Sequence, residues 1–109
     1  MEKTKLLTGQ VPKKHEIELD GDIFEIWVKD LTFLDIQQAA QSLLRGDGFD
    51  LSSYWRYAFE NWILKTNPEL SLGEMLLLNP EAGQSITSLL PAPGEMVEML
   101  GFSKAESGL

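Results

Sequence analysis

Apolar and polar residues alternate with a period of two from residue 15 to 20, where Ile17 and Leu19 stand between His15, Glu16, Glu18 and Asp20. That spacing predicts a half-buried strand. Asp20-Gly21-Asp22 follows, and an Asp-Gly step between alternating runs predicts a tight hairpin, because both residue types tolerate positive φ. The return strand is read over residues 23–29. Phe24, Ile26 and Val28 share one face, and Glu25, Trp27 and Lys29 the other. A lone hairpin is marginal in water, so the apolar face must lie on something.

Near residue 31 the period changes to that of a helix. Thr32 is a good N-cap, Asp35 stands where a capping box needs its acid, and Leu31 and Ile36 are placed as a hydrophobic staple. Ile36, Ala39, Ala40, Leu43 and Leu44 form the apolar stripe, and Gly46 is read as the C′ stop. A second helix is expected over residues 51–65. Its stripe is Leu51, Trp55, Ala58, Phe59, Trp62 and Ile63, ended by Asn67-Pro68. Ser71 with Glu74 and Asn79 with Pro80 mark two more helix starts. Pro91-Ala92-Pro93 breaks the second of these, and residues 94–100 read as a last short helix stopped by Gly101. The pattern therefore predicts an α+β fold: an N-terminal β-hairpin followed by a bundle of four or five mostly short helices. Its parts are a flexible leader over residues 1–14, one domain over 15–102 and a flexible tail over 103–109. Ile36, Leu43, Trp55, Phe59, Trp62 and Ile63 are the expected core.

Composition narrows the function. A chain of 109 residues is the size of one domain, and its longest apolar run, Met75-Leu76-Leu77-Leu78, is a fraction of the ~20 residues of a membrane span. No apolar stretch follows the charged first five residues, so a signal peptide is not expected and the simplest reading is cytoplasmic. The chain has no Cys, which excludes disulfides and thiolate metal sites. A net charge of −8 argues against nucleic acid as a partner, since phosphates must be neutralised there.

No residue set points to catalysis. His15 is the only histidine, and no nucleophile and base can be argued around it. Asp20, Asp22 and Glu25 at the hairpin tip fit turn chemistry. Asp47-Gly48-Phe49-Asp50 lacks the alternating acids and late Glu of a calcium loop. Arg45-Gly46-Asp47 is explained by helix-end chemistry. No catalytic residue, cofactor or metal is therefore expected.

The unusual feature is aromatic. Tyr54, Trp55, Tyr57, Phe59 and Trp62 lie within nine residues, more rings than one helix face buries. With Trp55, Phe59 and Trp62 assigned to the core, Tyr54, Tyr57 and Trp27 are expected to be partly exposed. Met96 and Met99 add adaptable thioether surface on the last helix. Exposed aromatics and Met are enriched where proteins bind proteins. Trp27, Tyr54, Tyr57, Met96 and Met99 are thus the expected partner-binding residues.

The order of these features resembles the tail assembly chaperones of long-tailed bacteriophages. The residues that carry the resemblance are Leu19-Asp20-Gly21-Asp22-Ile23-Phe24-Glu25-Ile26, then Leu31-Thr32-Phe33-Leu34-Asp35, then Leu70-Ser71-Leu72-Gly73-Glu74-Met75-Leu76. It extends in organisation over residues 15–100. The resemblance implies an accessory protein that coats the tape measure protein before tail polymerisation and associates with itself. It also implies work in the host cytoplasm and absence from the finished virion. Two competing readings are a small structural adaptor of the phage particle and an acidic regulatory module that mimics nucleic acid.

Overall fold

In the computed structural model, which describes residues 1–46 and 48–99, two strands pair as expected. Strand β1 (Lys13–Leu19) runs antiparallel to β2 (Asp22–Val28). Asp20 (φ 51°) and Gly21 (φ 84°) both occupy the left-handed region that a two-residue hairpin turn of matching twist requires. β1 begins two residues earlier than the alternation suggested. Lys13 and Lys14 extend the ladder opposite Val28 and Trp27. Residues Lys3–Lys5 form a single 3-10 turn, and the Gln10 N–H donates to the Asp30 carboxylate.

Helix α1 (Phe33–Leu43) starts on the capping box read from the sequence. The Asp35 N–H donates to Thr32 Oγ1 at 3.1 Å, and the Thr32 N–H donates to Asp35 Oδ2 at 2.9 Å. Lys29 Nζ closes on Asp35 Oδ1 at 2.8 Å. Burial alone would raise the Asp35 pKa, but the Lys29 ammonium and the Thr32 donors outweigh it and hold the carboxyl below its ordinary 3.8. A depressed folded pKa stabilises the fold above that ordinary value, and the contribution fades as pH falls through the folded pKa. Asp35→Asn should therefore lose about 1–2 kcal/mol at neutral pH through the missing charge-assisted bonds. The gap to the wild-type chain should close as the medium is acidified below the ordinary carboxylate pKa, which denaturant melts at a series of pH values would record.

The first helix stops earlier than its stripe implied. Leu44 is the C-cap and exposed, and it pairs as part of β3 (Leu44–Arg45) with β4 (Gly48–Phe49). Gly46 (φ 55°) thus lies in the link of a two-stranded ladder and is not a simple helix stop. Asp47, the last residue of the Arg45-Gly46-Asp47 tripeptide, lies outside the described residues. Asp50 then caps α2 (Leu51–Trp62), accepting from the Ser53 N–H at 3.0 Å.

The second helix was read three residues too long. It ends at Trp62, and the chain enters β5 (Ile63–Asn67), which pairs antiparallel with β2 to complete a sheet of order β1-β2-β5. The pattern misled for a physical reason. Trp27 faces Lys65 and Val28 faces Ile63, so Leu64 is an extra residue bulged out of the ladder. The bulge turns both Ile63 and Thr66 inward, a spacing of three that imitates a helix. Asn67-Pro68 ends a strand, not a helix.

Three further helices follow. The short α3 (Leu72–Met75) has the Ser71–Glu74 capping box, α4 (Pro80–Thr87) has Asn79 as its cap, and α5 (Pro93–Met99) begins on Pro93. Leu100, Gly101 and Phe102 lie outside the described residues, as does the segment 103–109. The core joins Ile26 and Val28 of the sheet to Ile36, Ala39 and Leu43 of α1. Ala58, Phe59 and Trp62 of α2 meet it, as do Met75, Ile86 and Leu90.

Candidate functional site

The structure does not bring the five expected partner-binding residues together. Trp27 is half-buried in the middle strand, on the sheet face away from the core, with Lys65 Nζ 4.8 Å and Lys14 Nζ 5.5 Å from its ring centroid. The lysine stems and ammonium groups cover the indole from both neighbouring strands. Tyr57 is half-buried with its ring edge-on to Trp62.

Tyr54 and Met96 were expected at the surface and are not there: both are 0% exposed. Tyr54 takes the innermost place on α2, and Trp55, expected there, is partly buried and packs against the core beside it. The stripe read along α2 could not anticipate α5 and the residues before it, which close over the Tyr54 side of the helix. The Tyr54 hydroxyl donates to the Pro91 carbonyl. Burial, with the nearby Glu95 charge second, raises this phenol above its ordinary pKa, so it stays a donor. Tyr54→Phe should cost about 0.5–1.5 kcal/mol through the lost hydrogen bond and the stranded carbonyl, measurable as a lower denaturation midpoint. Met96 points inward from α5, while Met99 is 48% exposed.

The exposed apolar surface lies elsewhere, on α1. Phe33 is 66% exposed and Leu34 59%. Phe33 lines three adjoining grooves. One, of ≈ 500 Å³, runs along α1 past Gln37, Gln38 and Gln41 to Leu44. A second, of ≈ 450 Å³, is shared with Leu6 and Leu7 of the leader. The third, of ≈ 430 Å³, lies between Leu31, Ile36, Pro91 and Met99.

No residue lining any of the three grooves is charged, on a chain where 24% of residues are. The cause is local. The staple turns Leu31 and Ile36 toward the protein, so positions 33, 34, 37, 38 and 41 fall on the opposite arc of α1. The one ionisable residue of α1, Asp35, is buried in its capping box. Sequence reasoning passed over this surface, although the signal was present: two large apolar residues directly after a cap, then a helix whose polar positions after Asp35 are all Gln or Ser. Grooves of this size could hold small molecules; the polar groups that line them are the uncharged side chains of Gln37, Gln38 and Gln41 in the first and of Thr8, Gln10 and Thr32 in the second. A broad uncharged surface with large exposed apolar side chains is of the kind that marks protein contact.

No family model, no curated protein and no solved structure matches this chain.

Among the described residues no group of three or more His, Cys, Asp or Glu is placed to hold a metal ion. Among them, too, no helix is long and apolar enough to cross a membrane. His15 stands on the inner-facing side of β1 opposite Ile26.

Proposed function

We propose that this chain is a tail assembly chaperone of a long-tailed bacteriophage, acting in the host cytoplasm. In this reading it binds the apolar stripe of a tape measure protein on the surface around Phe33 and Leu34, and shields that partner until the tail polymerises. The observation that carries the reading is the uncharged apolar arc of α1 on a protein of net charge −8. A partner helix laid on such an arc buries apolar area without stranding a charge. Gln37, Gln38 and Gln41 flank the arc, and Gln amides both donate and accept, so successive partner segments of different sequence can be accommodated. The acidic remainder of the surface keeps the complex dispersed.

Self-association belongs to the same proposal. Two acidic bodies meet with least repulsion through the face that carries no charge. Binding driven by apolar burial should depend only mildly on salt.

The test is co-expression with a candidate tape measure protein, scored as the partner's soluble fraction, with mass spectrometry of purified particles. The expected result is a soluble partner and particles free of this chain. No gain in solubility, with the chain present in finished particles, would overturn the reading in favour of a structural adaptor.

A further inference from the structure

We infer that the free edge of β1 pairs antiparallel with β1 of a second copy of this chain, joining the two three-stranded sheets edge to edge. The contact is separate from the α1 surface and rests on no reading of it. β1 is an outer strand of the order β1-β2-β5. In an antiparallel ladder the backbone groups of successive residues point alternately to one side and the other. Leu19 faces Asp22 as the hydrogen-bonded pair that closes the two-residue turn, so Ile17, His15 and Lys13 also bond β2. The N–H and C=O of Lys14, Glu16 and Glu18 then point away from the sheet. Among the described residues no other segment bonds them. Such a row of open donors and acceptors, on a strand of seven residues, is a template for another strand.

Charge selects both the occupant and the register. β1 reads Lys13-Lys14-His15-Glu16-Ile17-Glu18-Leu19, basic at one end and acidic at the other. Its lysines and glutamates cancel on a chain of net charge −8, so a second copy meets no net repulsion along this edge. A parallel copy in register would set Lys14 on Lys14 and Glu16 on Glu16. An antiparallel copy must bring the open groups of residues 14, 16 and 18 opposite one another. Centring the pair on Lys14 or on Glu16 sets that residue against its own copy, and centring it on Ile17 sets Glu16 against Glu18. Like charges directly opposite are destabilising. Centring on His15 alone sets Lys14 opposite Glu16, twice, and each pair exchanges its backbone hydrogen bonds. The two contacts are equivalent, as a two-fold interface requires. Within its own chain Lys14 Nζ lies 3.8 Å from Glu16 and 2.5 Å from Glu25, which holds the ammonium on the sheet face where the second copy's Glu16 arrives.

Sedimentation of the full chain over a concentration series tests the pairing, with circular dichroism as the check on folding. A second set of chains carries Phe33→Asp with Leu34→Asp, which removes association through α1. A monomer–dimer equilibrium is expected in that set as in the first. Lys14→Glu alone, or Glu16→Lys alone, sets like charges opposite each other twice and should raise the dimer Kd at least about tenfold. An equimolar mixture of these two variants should dimerise as tightly as the wild-type chain, because each copy then meets the opposite charge. Glu18→Lys, outside the paired register, should change little. A chain that stays monomeric in the Phe33→Asp/Leu34→Asp set, a dimer indifferent to Lys14→Glu, a mixture that fails to recover, or a Glu18→Lys effect as large as that of Glu16→Lys would overturn the inference. The assay uses no partner, so its failure leaves the chaperone reading standing, and failure of co-expression leaves the sedimentation result standing.

Discussion

Trp62→Ala should destabilise the domain by about 3–5 kcal/mol, the range for truncating a large buried ring. Trp62 is 1% exposed and is held edge-on by Tyr54 at 6.0 Å and Tyr57 at 6.2 Å between ring centroids. It also ends α2, and its carbonyl accepts from the Lys29 N–H at 2.8 Å at the entrance to the β2–β5 pairing. A cavity there loosens the helix–sheet contact and both tyrosine rings together. Against a total stability of about 5–15 kcal/mol for a domain, the loss is a large fraction and should appear as a strongly lowered denaturant midpoint. Trp62→Phe should cost much less. It keeps a ring in place and removes an indole N–H that has no acceptor among the described residues. Phe59→Ala is expected to behave like Trp62→Ala, and Trp55→Ala to cost less, because Trp55 is only partly buried at the edge of the core. A midpoint unmoved by Trp62→Ala would mean that α2 does not present this face to the sheet.

The second large effect is on binding and leaves stability nearly untouched. Phe33→Asp with Leu34→Asp should weaken capture of the partner by at least about 2 kcal/mol, the cost of losing a central aromatic anchor, or roughly 30-fold in Kd. The fold should tolerate the pair. Both side chains are mostly exposed, and both stand in the first turn of α1, where added negative charge meets the positive end of the helix dipole favourably. The double variant thus separates surface from scaffold: melting within about 1 kcal/mol of the wild-type chain, with the partner's soluble fraction collapsing in co-expression. A folded variant that solubilises its partner as well as the wild-type chain does would remove this surface from consideration. Tyr54→Ser, aimed at the residue first expected to bind, should instead damage the fold.

Local structure was legible in the chain itself. The Asp20-Gly21 turn, the Thr32–Asp35 and Ser71–Glu74 capping boxes and the Asn79-Pro80 start each depend on side chains bonding backbone within three or four residues. Such contacts need no distant partner, and the α+β order follows from them together with the change of hydrophobic period near residue 31. The absence of cysteine likewise ruled out disulfides and thiolate metal sites without reference to the fold.

Only the tertiary structure decided what long-range packing controls. β5 exists because β2 offers it an edge, and the Leu64 bulge turns Ile63 and Thr66 inward at a spacing that reads as helical along the chain. Tyr54 and Met96 are buried because α5 and the residues before it return over α1 and α2, and the Tyr54 hydroxyl finds the Pro91 carbonyl 37 residues away. The same return path places Met99 opposite Phe33. The candidate surface therefore combines one part that the sequence held, the uncharged arc of α1, with another that only the folding of distant segments could assemble. Hydrophobicity determines which residues seek burial, but which of several rings in nine residues obtains it depends on the segments that arrive to cover them.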